Sequence, residues 1–153
     1  MLLDLLSSQA VVPALKAANK KQAVQSLAAH AGALWHLPER EVFETLLQRE
    51  RLGSTGIGNG IAIPHGKLAA VARPVGLFAR LEKPIDFEAV DGEPVDLVFL
   101  LLAPEEAGAD HLKALAKVAR VLRDPAVTVQ LRATREPAAL HALLTRAATP
   151  HAA

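Results

Sequence analysis

Apolar positions along this chain alternate between helical spacing and short continuous runs. Leu2 to Leu6 predicts a short first helix, and Val11 to Leu15 a short strand that Pro13 confines to a sheet edge. Asn19 then reads as a helix cap, with Gln22 three residues on. Behind it Val24, Leu27, Ala28, Ala31 and Leu34 recur at helical spacing. Leu37-Pro38-Glu39 predicts a second helix, with its proline near the first turn and acidic residues following. Val42, Phe43, Leu46 and Leu47 give that helix its apolar stripe, and Gly53 ends it.

Short apolar runs dominate the middle of the chain. Ile61 to Ile63 reads as a buried strand bounded by turn residues, and Val75 to Leu81 as another. Asp91-Gly92 is a turn signal. Val95 to Ala103 is the most hydrophobic segment and predicts a central strand buried on both faces, stopped by Pro104. Asp110 is placed to cap the next helix, whose apolar side carries Leu112, Leu115, Ala116, Ala119 and Leu122. Asp124-Pro125 breaks it, and Val127 to Leu131 fits helix or strand equally. Pro137 opens a last helix through Leu140, Leu143 and Leu144, followed by an alanine-rich end expected to fray. Strands alternating with helices predict an α/β sandwich with helices on the sheet faces, built as one domain over residues 1–153.

Composition narrows the function classes. With 153 residues and 51% apolar content the chain suits one soluble globular domain. Its 17 basic and 16 acidic residues leave a formal charge of +1, which argues for neither nucleic acid nor an anionic membrane surface. Aromatics, at 3%, are too scarce for base-stacking platforms. Without cysteine there are no disulfides, thiol nucleophiles or thiolate metal sites. Met1 to Ser8 lacks the form of a signal peptide, and the longest apolar run, Leu97 to Ala103, is far short of the roughly 20 residues of a membrane helix. A cytoplasmic location with no membrane insertion is the expectation.

Candidate chemistry gathers in Gly53-Ser-Thr-Gly-Ile-Gly-Asn-Gly-Ile-Ala-Ile-Pro-His-Gly-Lys67. A loop rich in glycine offers free backbone N–H groups that can hold an anion. It lacks the Lys-Ser/Thr pair of a Walker loop, because Asn59-Gly60 follows Gly58. It also runs helix, loop, strand, the reverse of a dinucleotide-binding turn. His65 sits at the mouth of the strand, between Pro64 and Gly66, where a neutral imidazole with one free nitrogen suits a phosphoryl acceptor. His111, in the first turn of the Asp110 helix, is the second candidate. Arg49 and Arg51 precede the loop and present guanidinium groups to an anion, or else merely complement a helix end. Ser54 and Thr55 either donate hydroxyls to that anion or satisfy local backbone groups; with Gly58 and Asn59 they make the expected phosphoryl-binding set. No third ligand shows zinc spacing, so no metal is expected, and no cofactor is implied. His30, His36, His141 and His151 have no supporting pattern.

Gln48-Arg49-Glu50, followed by Gly53 through Gly66 as written above, resembles the active-site signature of enzyme IIA of the bacterial phosphotransferase system. The type is that of fructose and mannitol, in its stand-alone nitrogen-regulatory form. The likeness extends through Pro84-Ile85-Asp86-Phe87, Asp91-Gly92, Pro94-Val95-Asp96-Leu97 and Ala109-Asp110-His111-Leu112, nearly the whole chain. The resemblance implies a mixed, mostly parallel sheet flanked by helices. It implies that His65 is phosphorylated (as tele-phosphohistidine) by a phosphocarrier of the HPr type, beside His111 as second histidine and Arg49 as active-site arginine. Asn59 departs from the mannitol relatives, which carry an acidic residue there. The function so implied is a phosphoryl carrier whose phosphorylation state regulates other proteins. The alternatives are a sugar component passing the group to a IIB domain, and a binding module that acts by contact alone.

Overall fold

The computed structural model describes residues 2–147. Six helices and six strands follow in the order α1 (Leu2–Leu5), β1 (Val11–Leu15), α2 (Lys20–Trp35), α3 (Glu39–Arg51), β2 (Gly56–Gly58), β3 (Ile61–Ala62) and β4 (His65–Lys67). After these come β5 (Val75–Ile85), β6 (Val95–Ala103), α4 (Ala109–Leu122), α5 (Pro125–Ala133) and α6 (Pro137–Ala147). His151 and most of the alanine-rich end lie outside the described residues.

One mixed sheet carries the molecule, in the order β1-β5-β6-β3-β2, with β4 also paired to β6. β1–β5, β3–β6 and β4–β6 are parallel; β2–β3 and the long β5–β6 pairing are antiparallel. β6 is central, as its unbroken apolar run predicts, and every residue from Leu97 to Ala103 is buried. A strand with no exposed face requires cover on both sides of the sheet, and the helices supply it: α3 packs on β4, α4 on β6 and α6 on β1. β1 lies at the edge, where Pro13 interrupts no ladder bond with a second neighbour.

Local chemistry accounts for the helix starts. The Asn19 side chain accepts from the Gln22 N–H at 2.9 Å, and Gln22 Oε1 returns the favour to the Ala18 N–H at 2.9 Å, a reciprocal cap. Asp124 caps α5 by accepting from the Ala126 N–H at 3.0 Å, with Pro125 in the first turn, which resolves Val127 to Leu131 as helix.

Two expectations need correcting. Asp110 does not cap α4: the cap is Gly108, with φ +50°, and Asp110 lies inside the first turn. The buried face of α4 is also rotated from the expected one. His111, Ala114, Val118, Val121 and Leu122 face inward, whereas Leu112 is exposed. A histidine turned in and a leucine turned out invert what hydropathy alone suggests.

The glycine-rich stretch is not a free loop but a miniature hairpin. β2 and β3 are joined by Asn59 and Gly60, with φ of +56° and +79°, the paired positive values of a type I′ turn. Arg132 of α5 pins this turn. It donates Nη2 to the Asn59 carbonyl at 2.6 Å and grips the Asp96 carboxylate through Nε at 2.9 Å and Nη2 at 3.0 Å.

Candidate active site

His65 opens β4, parallel to β6 and opposite Leu101. The preceding Pro64 passes its carbonyl to the Leu101 N–H at 2.9 Å, so the chain is held to the central strand up to the histidine itself. Gly66 permits α3 to approach: a Cβ there would lie 2.7 Å from Thr45 Cγ2. That closeness brings Arg49, at the end of α3, onto the imidazole.

The ring is bonded at both nitrogens. Nδ1 lies 2.8 Å from the Ile63 carbonyl, an acceptor, so Nδ1 carries the proton. Nε2 is then the lone-pair nitrogen, and it receives Arg49 Nε at 3.2 Å. Arg49 is braced in turn by Nη1 donating to the Gly53 carbonyl at 2.9 Å. The His111 ring stands 5.4 Å from that of His65, centroid to centroid, tilted by 50°. His111 is buried, and its Nδ1 has no hydrogen-bond partner.

These groups share an open hollow of about 480 Å³, whose walls include Thr45, Gln48, Leu52, Gly66 and Lys67. Of the residues expected from sequence, His65, His111 and Arg49 meet here. Ser54, Thr55, Gly58 and Asn59 are not among the lining residues. The Ser54 hydroxyl donates to the Phe87 carbonyl at 2.6 Å and accepts from the Gly56 N–H at 3.0 Å. Thr55 is buried, with its hydroxyl on Glu50. The Asn59 N–H goes to Asp91 Oδ2 at 2.9 Å, and Gly58 packs beside the same carboxylate. Of the backbone N–H groups expected to form an anion nest, those of Thr55, Gly56 and Asn59 are taken by Glu50, Ser54 and Asp91. Arg51 is exposed and makes no part of the hollow. Sequence reasoning passed over Lys67 and Leu52 as components of the site, since neither carries a pattern of its own.

Both imidazoles are held below the usual histidine pKa. For His65 burial is the main cause, with Arg49 acting the same way; the Ile63 carbonyl and Glu50 oppose it. For His111 burial leads again, followed by His65 and Lys67. Near neutral pH both rings are therefore uncharged, and Nε2 of His65 keeps its lone pair. The sign for stability follows. The unfolded chain takes up protons as pH drops through about 6.5 while the folded one resists. Stability is therefore full above that value and is lost on acidification, by at most about 1.4 kcal/mol per pH unit for each histidine. Urea midpoints measured from pH 7.5 to 5 are expected to fall, and in a His65→Gln/His111→Gln double variant the slope flattens.

The family model for the phosphoenolpyruvate-dependent sugar phosphotransferase system, EIIA 2, matches residues 4–147, and the chain belongs to that family. It is thus a component of a phosphotransferase system. Within the family its likeness is to nitrogen-regulatory members. A nitrogen regulatory protein of Bradyrhizobium diazoefficiens is 60% identical over 141 residues, 92% of each chain. That of Escherichia coli K12 is 46% identical over 128 residues, covering 83% of this chain and 78% of the other. The crystal structure of nitrogen regulatory protein IIA-Ntr from Neisseria meningitidis superposes with a TM-score of 0.86 at 35% identity, over 92% of this chain and 97% of that one. The chain is accordingly a phosphoryl carrier of the nitrogen-related system. Among the described residues no helix is long and apolar enough to cross a membrane, and no group of three or more histidine, aspartate or glutamate side chains is arranged to hold a metal.

Proposed function

We propose that His65 is the residue that carries the phosphoryl group, on Nε2, as a single enzyme IIA domain working in the cytoplasm. The observation that carries this reading is the fixed tautomer: the Ile63 carbonyl holds Nδ1–H, and Nε2 keeps its lone pair, which accepts from Arg49 Nε in the resting site. The donor is a phosphohistidine on a small carrier of the HPr type. The Nε2 lone pair attacks phosphorus as the donor's P–N bond breaks, and that bonding pair returns to the donor imidazole. His65 becomes an N-phosphoryl imidazolium whose Nδ1 keeps its proton and goes on donating it to the Ile63 carbonyl, so no base is needed. Such a transfer asks chiefly for alignment and charge neutralisation, which Arg49 and Lys67 supply.

The added negative charge alters docking of other proteins, and the nitrogen-regulatory relatives support a regulatory output over sugar uptake. Incubation with a phosphorylated HPr-type carrier is expected to label one histidine. Peptide mapping and phosphorus–nitrogen NMR coupling are expected to place the label on Nε2 of His65. A label on Nδ1, or on any other residue, would overturn the assignment.

A further inference from the structure

The phosphoryl chemistry has no use for Glu50, yet its carboxylate is shut away from solvent at 6% exposure. Three donors converge on it. The Thr55 N–H reaches Oε1 at 3.0 Å, the Thr55 hydroxyl reaches Oε2, and the Lys20 ammonium lies 3.0 Å from Oε1. Lys20 itself comes from α2 and stands 4.9 Å over the Phe87 ring, with Glu88 3.7 Å away. A carboxylate buried among fixed donors is a poor source of stability, because desolvation offsets much of the attraction. It is a good source of position, because each donor must stay where it is.

Two short paths run from Glu50 to the imidazole, one from its carboxylate and one from its main-chain carbonyl. Along the first, the carbonyl of Thr55 accepts the Ile63 N–H at 3.0 Å, and the carbonyl of Ile63 accepts His65 Nδ1–H at 2.8 Å. Along the second, the Gly53 N–H donates to the Glu50 carbonyl at 3.1 Å. The Gly53 carbonyl then accepts Arg49 Nη1 at 2.9 Å, while Arg49 Nε rests on His65 Nε2. Both partners of the imidazole are therefore tied to one residue.

We propose that Glu50, clamped by Lys20 and Thr55, is the positioning residue of the site: through Thr55 its carboxylate fixes the Ile63 carbonyl so that His65 keeps the Nδ1–H tautomer. Glu50 never touches the phosphoryl group. Its effect on the transfer rate rests on the reading of His65 above, whereas its effect on the tautomer does not.

The test uses the full unphosphorylated chain and nitrogen NMR of the histidine rings, followed by single-turnover transfer. Wild type is expected to show one His65 tautomer, with Nδ1 protonated. Glu50→Gln, nearly isosteric, is expected to show a mixture of tautomers and faster exchange of the Ile63 amide. Its transfer is expected to slow about tenfold, seen in the rate constant rather than in the donor concentration for half-saturation. The charged groups facing His65 are Arg49 and Glu50 from α3, Lys67 from β4 and His111 from α4. Removing the carboxylate charge leaves the others to depress the His65 titration further, so its midpoint moves to lower pH. Lys20→Met, which keeps the carboxylate and Thr55, is expected to move the tautomer in the same direction by less, and carries the test should Glu50→Gln fail to fold. A folded Glu50→Gln chain, or in its place Lys20→Met, with a single Nδ1–H tautomer and an unmoved titration would overturn the proposal.

Discussion

Replacing His65 by alanine is expected to end phosphoryl acceptance while leaving the fold in place. The loss is complete because no neighbour can substitute. His111, whose ring lies 5.4 Å away, is buried on α4. The cost to folding is small. The substitution removes two hydrogen bonds, to the Ile63 carbonyl and from Arg49 Nε, at about 1 kcal/mol each, and a half-buried ring. For a chain of this size 1 kcal/mol lowers the Tm by about 2–4 °C. Circular dichroism is expected to match wild type, and radiolabel from a phosphorylated HPr-type carrier to stay at background. Labelling of the alanine variant at the wild-type rate would mean that phosphate goes elsewhere.

How much of this was written in the sequence differs from element to element. β6 was legible to the residue, because seven consecutive buried side chains admit no polar interruption and Pro104 marks the stop. The cap at Asn19, the break at Asp124-Pro125 and the apolar stripe of α3 were legible because each signal lies within a few residues of what it controls, whereas the cap that Asp124 makes for α5 was not read. The hairpin of β2 and β3 was not, although Asn59-Gly60 is a strong turn dipeptide. Its strands are three and two residues long, too short for any period to emerge. The expected glycine nest was a consequence of missing that turn.

His65, Arg49 and His111 could be named from the motif, but their mutual geometry depends on α3, β4 and α4 meeting. His111 lies 46 residues beyond His65 in the chain, so no local pattern relates them. Glu50 was invisible as an anchor. A glutamate between two arginines at a helix end reads as solvated, and the Lys20 that permits its burial comes from another helix.

The arginine is expected to matter almost as much as the histidine. Arg49→Met keeps the length and most of the apolar stem, but removes the donor that faces Nε2 at 3.2 Å and the brace to Gly53. If His65 takes the phosphoryl group as proposed, its oxygens gather beside that guanidinium in the open hollow. A preorganised charge there acts on the transition state and not on the resting site. Loss of one such donor slows reactions of this kind by about 10²–10³, and a fall of that size is expected in single-turnover transfer. Arg49→Lys is expected to recover little, since a single ammonium nitrogen replaces the two nitrogens, Nε and Nη1, that the rigid guanidinium sets against the ring and the Gly53 carbonyl. The charge has a second, smaller consequence. Arg49 helps to depress the His65 pKa, so removing it lets that pKa rise. The acid limb of the transfer profile then moves to higher pH, opposite in sign to the shift expected of Glu50→Gln. Opposed shifts are what opposite charges beside one imidazole produce. Arg49→Met transferring within about threefold of wild type would remove the guanidinium from the chemistry and leave it as a fastening for the Gly53 turn.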